Sequence, residues 1–392
     1  MENGVYFIVL KNISSNLIIF ERPMTNTGKR LQSLDALRGF DMLWIMGGPM
    51  IINALYQIFG GTSLGWCNDQ MEHAAWDGFH FMDLIFPLFL FIAGVAFPFS
   101  LAKRREKQEP EKIIRRHLLK RALTLVLLGL LYNGFLRDGF ADARYASVLA
   151  HIGIAWFLGA VIYMYASKMS SLAIWVACLT VGYGLLNLLV LAPDAVGSNP
   201  FLAENNITAQ FDRWFLPGKL YGGNFDPEGL LSLVPAVATA LLGVMAGAYL
   251  MREGKDSPER KALILFVAGI ALLALGMIFS LVIPVNKALW SSSFLLLAGG
   301  VSYLLLSIFY WIIDVRQYVK WSFFFRVIGL NSIAIYMAQV IFNFSRVSEF
   351  LFGSFAQLCP EPVNALILSC GYVGSCWIFL WYMYKKSIFI KV

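Results

Sequence analysis

The sequence predicts an all-α polytopic membrane protein with about ten transmembrane helices and both termini in the cytoplasm. Two observations predict this class, and a third gives the orientation. Of the 392 residues, 58% are hydrophobic and only 14% are charged, whereas about a quarter of the residues of a soluble domain are charged. The hydrophobic residues also fall in long runs, and a helix needs roughly 20 of them to cross a bilayer.

Ten segments of the chain approach the length that a membrane-spanning helix needs. They are 37–60, 83–102, 122–136, 147–166, 172–192, 230–250, 262–283, 291–313, 327–345 and 363–384. The third segment is short, and it gains length if its helix continues back through Leu118 and Leu119.

The distribution of lysine and arginine sets the orientation, because these residues accumulate in cytoplasmic loops. With the N-terminus inside, the inner segments hold 24 of the 31 basic residues and the outer segments hold six, while Arg38 lies in the mouth of the first helix. This bias explains the net charge of +7 without a nucleic acid partner.

The first 30 residues differ from the rest of the chain. Residues 1–23 lack the basic start and the small-residue cleavage site of a signal peptide, and Met24 reads as a more natural start. We expect a poorly ordered cytoplasmic segment followed by one transmembrane domain. Their bounds are 1–30 and 31–392, with outer loops at 61–82 and 193–229 and a basic inner loop at 103–121.

The outer loop before the second helix collects scarce titratable groups. Its sequence MEHAAWDGFHFMD places His73 and His80 near Glu72, Asp77 and Asp83, with no basic residue in the loop. A carboxylate beside an imidazole can hold the ring in one orientation, so the loop is a candidate acid–base site. Composition does not choose between the two histidines, and a solvated loop without a catalytic role is the alternative.

Two further charged stretches lie at the ends of predicted helices. SLDALRGFD, residues 33–41, places Asp35 and Arg38 on one helix face, either as a functional site or as a structural ion pair. NFDPEG, residues 224–229, either starts the sixth helix as a cap or offers its carboxylates to a ligand. The basic inner loop is a topology signal or, alternatively, binds a phosphate-rich ligand such as coenzyme A.

The cysteines suggest one structural cross-link. Among the five, Cys67 and Cys359 both fall on the predicted outer side, where disulfides persist, so a disulfide between them is a hypothesis. The sequence has no pair spacing typical of zinc and no Walker loop, so we predict no metal.

Several blocks of the chain occur in a familiar order between about residues 30 and 346. They are RLQSLDALRGFDM, EHAAWDGFHFMDLIFPLFLFIAG, FDPEGLL with LLGVMAG, IPVNKALWSSSFLLLAGG and WSFFFRVIGLNSIAIYM. Together they resemble the heparan-alpha-glucosaminide N-acetyltransferase family and its bacterial relatives, within a transmembrane acyltransferase superfamily.

The resemblance implies an activity and a catalytic residue. Members of the family deliver the acetyl group of cytoplasmic acetyl-CoA to an acceptor across the membrane, which is a glucosamine for the lysosomal enzyme. The family's essential histidine, in H-A-S-W-N-G, corresponds to His73 in HAAWDG and not to His80. Imidazole is the natural base near neutral pH, so His73 acts as a base or carries the acetyl group itself, with Asp77 or Asp83 orienting the ring.

The resemblance also suggests the binding residues. Coenzyme A would enter from the inside, with acetyl-CoA as the donor, and the acceptor would enter from the outside. The residues expected at coenzyme A are Arg38, Arg121, Arg326 and Asn331, and those expected at the acceptor are Trp76, Asp226, Glu228, Asn286, Lys287 and Trp290.

The chain departs from the family pattern at several positions. Asp77 replaces the asparagine of W-N-G, and Ala150 and His151 replace the glutamine and arginine of the family's V-L-Q-R-I block. We expect a changed acceptor contact and a small amino sugar, free or at a glycan end. We also expect a homodimer in the bacterial inner membrane. The alternatives are an O-acyltransferase of an envelope glycan and a secondary transporter of a small sugar, although transporters usually show inverted repeats.

Overall fold

The computed structural model of the protein describes residues 31–60, 64–252, 254 and 256–390. The predicted cytoplasmic segment 1–30 lies outside these residues. Helices dominate the described residues, which contain no β-strand and only two isolated β-bridges, Arg144–Gly218 and Leu191–Asn206. The all-helical class predicted from the sequence is therefore confirmed.

The chain divides into two compact units, the first formed by the described residues up to Asp69 and from Tyr318 onward, the second by Gln70–Gln317. The first unit contains α1 (Gln32–Ile45), α2 (Gly48–Ile58), α3 (Gly65–Asp69), α13 (Phe323–Leu330), α14 (Ser332–Ile341), α15 (Phe344–Ala356) and α16 (Glu361–Lys385). The second contains α4 (Phe81–Glu106), α5 (Glu111–Tyr132), α6 (Phe135–Asp142), α7 (Val148–Tyr165), α8 (Met169–Leu189), α9 (Ile207–Phe215), α10 (Leu233–Met251), α11 (Pro258–Ser280) and α12 (Ser292–Phe309). Helix α12 continues as a π-helix (Tyr310–Val315).

Seven helices of the described residues are long and apolar enough to cross a membrane. They are α4, α7, α8, α10, α11, α16 and α12 with its π-helical extension, and they coincide with seven of the ten predicted segments. The pair α13 and α14 is an eighth candidate, bent by 71° at Asn331. The protein is thus a multi-pass membrane protein by helix length and composition, while the count of about ten spans and the side of the termini stay predictions.

Two other predicted segments are not continuous apolar spans, for different physical reasons. Within 37–60, α1 ends at Ile45 and α2 begins at Gly48, because Gly47 between them has a φ of 112°, a left-handed conformation that favours glycine. The segment 122–136 overlaps the end of α5, whose first half is rich in basic residues. Its apolar half alone is shorter than a bilayer requires.

In the second unit, α4 and α10 approach each other closely enough for their backbones to touch. A Cβ atom added to Gly94 of α4 would lie 2.3 Å from the carbonyl oxygen of Ala240, and one added to Gly243 of α10 would lie 2.1 Å from that of Phe91. Small residues at such positions let membrane helices pack at short range. This contact fixes α4, whose N-terminal end carries the candidate site described below.

In the first unit, Asn331 at the bend holds the C-terminal segment. Its buried side chain donates to the carbonyl of Ile388 and accepts from the backbone N–H of Ile390, both at 2.9 Å. These bonds give Asn331 a structural role at the bend, and its expected contact with coenzyme A stays a prediction. Cys67 and Cys359 are both free thiols, so the hypothesised disulfide is absent.

Candidate active site

A histidine–carboxylate pair lies at the N-terminal end of α4. Asp83 Oδ1 is 2.8 Å from His73 Nδ1, and the Asp83 side chain is 0% exposed while that of His73 is 56% exposed. The other carboxylate oxygen of Asp83 accepts from the backbone N–H groups of His80 and Ala74, at 3.0 and 3.2 Å. The buried carboxylate therefore holds both the helix start and the imidazole.

This pairing assigns the two nitrogens of His73. The carboxylate accepts a hydrogen bond, so Nδ1 carries the proton and the lone pair of Nε2 is left available. The ring is exposed on one side and fixed on the other, which is the arrangement of a general base or a nucleophile oriented by a buried acid. Of the two carboxylates predicted to orient the ring, Asp83 makes the contact.

The second histidine of the loop has a different environment. His80 immediately precedes α4, and its Nδ1 lies 3.1 Å from the carbonyl oxygen of Glu72. Its backbone N–H donates to Asp83, so the residue closes the loop against the helix start. The choice between the two histidines, open from composition alone, is thus supported by geometry in favour of His73.

Asp77 joins the histidine loop to a second loop, residues 281–291, between α11 and α12. Asp77 Oδ1 accepts from the N–H of Val285 at 2.8 Å, and the N–H of Gly78 donates to the carbonyl of Val285 at 2.8 Å. Asp77 is therefore a tie between two loops, in contrast to its predicted role of orienting the imidazole.

The second loop delivers Lys287 to the histidine. Its Nζ lies 3.0 Å from His73 Nδ1, 3.1 Å from Nε2 and 3.7 Å from Asp83 Oδ1. Burial lowers the pKa of Lys287 below its usual range, although the charges of Asp83 and Glu228 oppose that shift. Lys287, predicted as an acceptor contact, is thus part of the histidine site.

The carboxylates of the NFDPEG stretch form a buried ion cluster with Arg144. The guanidinium of Arg144 binds Asp226 through two hydrogen bonds of 2.8 and 2.6 Å and also binds Glu228. Burial alone would lower the pKa of Arg144, but its bonds to Asp226 and the charge of Glu228 outweigh burial and raise it. Burial raises the pKa of Glu228 even against the charge of Arg144.

This cluster corrects one alternative drawn from the sequence. The next helix, α10, begins only at Leu233, so Asp226 does not cap it. The carboxylate instead accepts from the backbone N–H groups of Tyr221 and Glu228 and shapes the loop. Arg144 is the member that sequence reasoning missed, although a membrane protein that buries two carboxylates requires a cation beside them.

Two residues predicted to touch the acceptor are buried. Trp290 is 0% exposed, and its Nε1 donates to Thr239 Oγ1 at 3.1 Å, so its indole is part of the packed interior and its expected contact with the acceptor stays a prediction. Asn286 is fully buried and its Oδ1 accepts from the backbone N–H of Leu289 at 2.8 Å. Both residues shape the loop that carries Lys287.

Trp76 and His151 lie in different surroundings. Trp76 is half-buried, donates to the carbonyl of Phe201 at 2.9 Å and packs edge-on against Phe225. His151 is 2% exposed and stacks on Trp290, with ring centroids 5.3 Å apart. Within the part of the chain that the structure describes, neither ring nitrogen of His151 makes a hydrogen bond of normal geometry.

The basic residues predicted to hold coenzyme A belong to both units. Arg38 of the first unit pairs with Asp35 at 3.9 Å, as the predicted ion pair requires. Arg326 lies on α13 of the same unit and is partly exposed. In the second unit, the guanidinium carbon of Arg121 lies 4.1 Å from the centroid of the Trp156 ring.

Residues 30–277 match the family model described as heparan-alpha-glucosaminide N-acetyltransferase, catalytic. The chain is 24% identical over 417 residues to the Homo sapiens protein named heparan-alpha-glucosaminide N-acetyltransferase, an alignment that covers 93% of this chain and 60% of that protein. It is also 24% identical over 424 residues to the Mus musculus protein of the same name, covering 94% of this chain and 61% of that protein. The chain therefore spans about three-fifths of the length of these curated relatives. Because the family model matches more than half of its residues, the chain belongs to the heparan-alpha-glucosaminide N-acetyltransferase family.

Proposed function

We propose that this protein transfers the acetyl group of cytoplasmic acetyl-CoA to an amino sugar of the glucosamine type on the opposite, periplasmic side of the membrane, with His73 as the base or the acetyl carrier. The observation that carries this proposal is the pairing of exposed His73 with buried Asp83 at the start of a membrane-length helix. The names of the two relatives supply the reaction class.

The two ends of α4 support the sidedness. Asp83 lies in its first turn, and Lys103, Arg104 and Arg105 lie in its last turn. At about 1.5 Å per residue the stretch from Asp83 to Lys103 spans about 30 Å, the thickness of the hydrocarbon core. Basic residues accumulate on the cytoplasmic side, so the histidine belongs on the other side.

The donor must therefore reach across most of the bilayer. We infer that the phosphates of acetyl-CoA bind among the basic residues at the inner side of the second unit, including Arg121. The pantetheine arm then extends between helices toward His73. Arginine suits this role because its guanidinium binds phosphate oxygens in pairs.

The balance of charge around the histidine favours an amine as acceptor. Both oxygens of Asp226 are engaged by Arg144, so this carboxylate is not free to bind an ammonium group directly. The linked ionisable groups nevertheless include three carboxylates, Asp83, Asp226 and Glu228, and two cationic side chains, Arg144 and Lys287. An acceptor ammonium, or the proton that it gives to His73, offsets the remaining negative charge.

The chemistry of the histidine then follows from its free nitrogen. Nε2 removes the proton that blocks attack by the amine, and the amine attacks the thioester carbonyl. In the alternative route, Nε2 attacks the thioester first and passes the acetyl group to the amine. In both routes Asp83 keeps the proton on Nδ1 and stabilises the positive ring that forms.

The test uses sealed proteoliposomes that contain acetyl-CoA inside and glucosamine or glucosamine-ended oligosaccharides outside. We expect N-acetyl product in the outer medium. The variant His73→Ala should lose this activity, whereas His80→Ala, a matched histidine of the same loop, should retain most of it. Product made by His73→Ala would contradict the proposal.

Two other outcomes would assign a different function. Acetylation of neutral sugars at hydroxyl groups alone would favour an O-acyltransferase. Uptake of unmodified glucosamine without consumption of acetyl-CoA would favour a transporter.

A further inference from the structure

Lys287 lies beside the free nitrogen of the catalytic histidine without occupying it. Its Nζ is nearly equidistant from the two ring nitrogens, at 3.0 and 3.1 Å. The N–H of Nδ1 and the lone pair of Nε2 point in diverging directions in the ring plane, so one atom cannot lie in line with both. The ammonium group therefore lies over the ring edge, and Nε2 keeps its lone pair for a proton or a carbonyl carbon.

Two carboxylates stabilise the charge of this ammonium group. Asp83 Oδ1 is 3.7 Å from Nζ, and the charge of Glu228 also acts on it. The lysine side chain is only 20% exposed. Lys287 is thus a partly desolvated cation that lies close to one carboxylate and is stabilised by the charge of a second.

The loop that carries Lys287 is braced along its length. The N–H of Val285 is held by Asp77, the N–H of Leu289 by Asn286 Oδ1, and the N–H of Trp290 by the carbonyl of Lys287 itself. The indole of Trp290 is fully buried. Such fixed placement is what allows a charged donor to stabilise a transition state without reorganising during the reaction.

We infer that Lys287 is a catalytic residue that donates a hydrogen bond to the thioester oxygen as it becomes an oxyanion. This inference rests on the proposed acetyl transfer. A reacting carbonyl group placed against Nε2 has its oxygen within reach of Nζ, which is 3.1 Å from Nε2. The distance and the charge are those of an oxyanion donor.

In the proposed step, the moving protons and electron pairs pass between the acceptor, acetyl-CoA, His73 and solvent. Nε2 first passes the ammonium proton of the acceptor to solvent, so the acceptor enters the step as a neutral amine. Its nitrogen then forms a bond to the carbonyl carbon while its next proton moves to Nε2, and the carbonyl π pair moves onto the oxygen that faces Lys287. When that pair returns, the carbon–sulfur bond breaks and the imidazolium gives its proton to the departing thiolate. Lys287 supplies charge stabilisation and keeps its own protons.

The alternative role for Lys287 is a counter-charge that holds Asp83 and Glu228 in place. The two roles predict different responses to a change of the carbonyl atom. A donor to the oxyanion contacts the atom that carries the developing charge, whereas a counter-charge for Asp83 and Glu228 does not. Dithioacetyl-CoA, in which sulfur replaces the carbonyl oxygen, provides that comparison. A thiocarbonyl sulfur is a weak hydrogen-bond acceptor, so a donor to the oxyanion favours acetyl-CoA over this analogue.

The experiment measures kcat and KM for both donors with glucosamine, for the wild-type protein, Lys287→Met and Lys287→Arg. Lys287→Met should lower kcat for acetyl-CoA by about 10²–10³-fold and leave its KM within about twofold. It should lower the rate with dithioacetyl-CoA far less, so the ratio of the two rates should fall. Lys287→Arg, which keeps the charge, should retain part of the ratio.

Controls separate this inference from a folding defect and from the proposed function. Lys287→Cys alkylated with bromoethylamine restores an amine of nearly the same length and should recover activity, against wild-type protein treated in the same way. An unchanged rate ratio in Lys287→Met, with wild-type acetyl transfer intact, would overturn the inference. Absence of acetyl transfer by the wild-type protein would instead overturn the proposed function.

Discussion

Asp83 shows how one buried residue can define a site. It caps the loop before α4 through two backbone N–H groups and fixes the proton of His73 on Nδ1. A carboxylate that is this deeply buried is costly unless each oxygen is used. Asp83 uses both of its carboxylate oxygens in hydrogen bonds. These bonds fix the position of its side chain and, through it, the position of the imidazole.

Replacing Asp83 with asparagine should therefore lower kcat for acetyl transfer by about 10³–10⁴-fold with little change in KM for acetyl-CoA, since the amide cannot hold the tautomer or stabilise a positive ring. Steady-state kinetics in detergent would measure this. The matched control is Asp77→Asn, the same loss of charge in the same loop, which should keep most of the activity because its oxygen still accepts from Val285. Equal losses in the two variants would rule out the orienting role of Asp83.

A second carboxylate controls stability through pH. Asp212 is buried, its Oδ1 accepts from the N–H of Leu230, and its other oxygen has no hydrogen-bond partner in the described part of the chain. Burial raises its pKa to about 7, above the value of about 4 for an unfolded aspartate. The folded protein therefore binds this proton more tightly, and the corresponding stability is full below about pH 4 and is lost as the pH rises through 7.

Asp212→Asn, which resembles the protonated form, should raise Tm at pH 8 by about 2 °C or more and change it little at pH 5. Thermal unfolding in detergent at both pH values would measure this. An equal change in Tm at the two pH values would point to packing as the cause.

At the scale of elements, the site depends on two loops that hold each other. The histidine loop before α4 and the loop between α11 and α12 are joined by the Asp77–Val285 and Gly78–Val285 hydrogen bonds. Each loop contributes one group, His73 or Lys287, and neither group is positioned by its own loop alone. Their separation is therefore a property of the tie between the loops.

Asp77→Ala should loosen this tie and raise backbone hydrogen exchange in both loops while leaving that of α10 unchanged. It should also lower kcat by about tenfold, because misplacing reacting groups by even 1 Å is costly. Asp77→Asn keeps the accepting oxygen and serves as the reference. Faster exchange confined to residues 70–80 would show that the loops move independently.

At the scale of the whole molecule, the proposed orientation places the acidic and basic ends of α4 on opposite sides of the membrane. The histidine site lies at one end of α4, and the basic residues of its last turn lie at the other. A polyanionic donor and a cationic acceptor would therefore meet opposite electrostatic environments, one on each side of the bilayer.

Salt should then affect the two substrates differently. Raising the ionic strength from about 0.05 to 0.5 M shortens the Debye length about threefold, so KM for acetyl-CoA should rise several-fold. KM for glucosamine should change by less than about twofold, because the acidic groups near His73 are buried and largely paired. Equal salt dependence for both would argue against separate sites.

The sequence predicted the positions of the helices better than it predicted the breaks within them. Apolar length alone located α4, α7 and α8, because lipid requires it. It did not reveal the break at Gly47, since a single left-handed glycine leaves the local composition apolar. It also did not reveal that Trp290 is buried, because an aromatic belt and a buried indole have the same composition.

The site was partly predictable for a similar reason. His73 follows from the family block, and Asp83 follows as one of two nearby carboxylates. The contact of Lys287 with His73 joins positions 214 residues apart in the chain, and the link from Arg144 to Asp226 joins positions 82 apart. The local spacing of residues gives no sign of either contact, so both could be found only in the folded structure.

The close approach of α4 and α10 has a consequence for heredity. At Gly94 and Gly243 the neighbouring backbone leaves no room even for a methyl group, so every single-base change that replaces either glycine disrupts this helix contact. Alleles that abolish the protein should therefore accumulate along this contact, far from any group that handles acetyl. A survey of random inactivating variants would find many that leave His73, Asp83 and Lys287 intact and whose proteins fail to accumulate in the membrane.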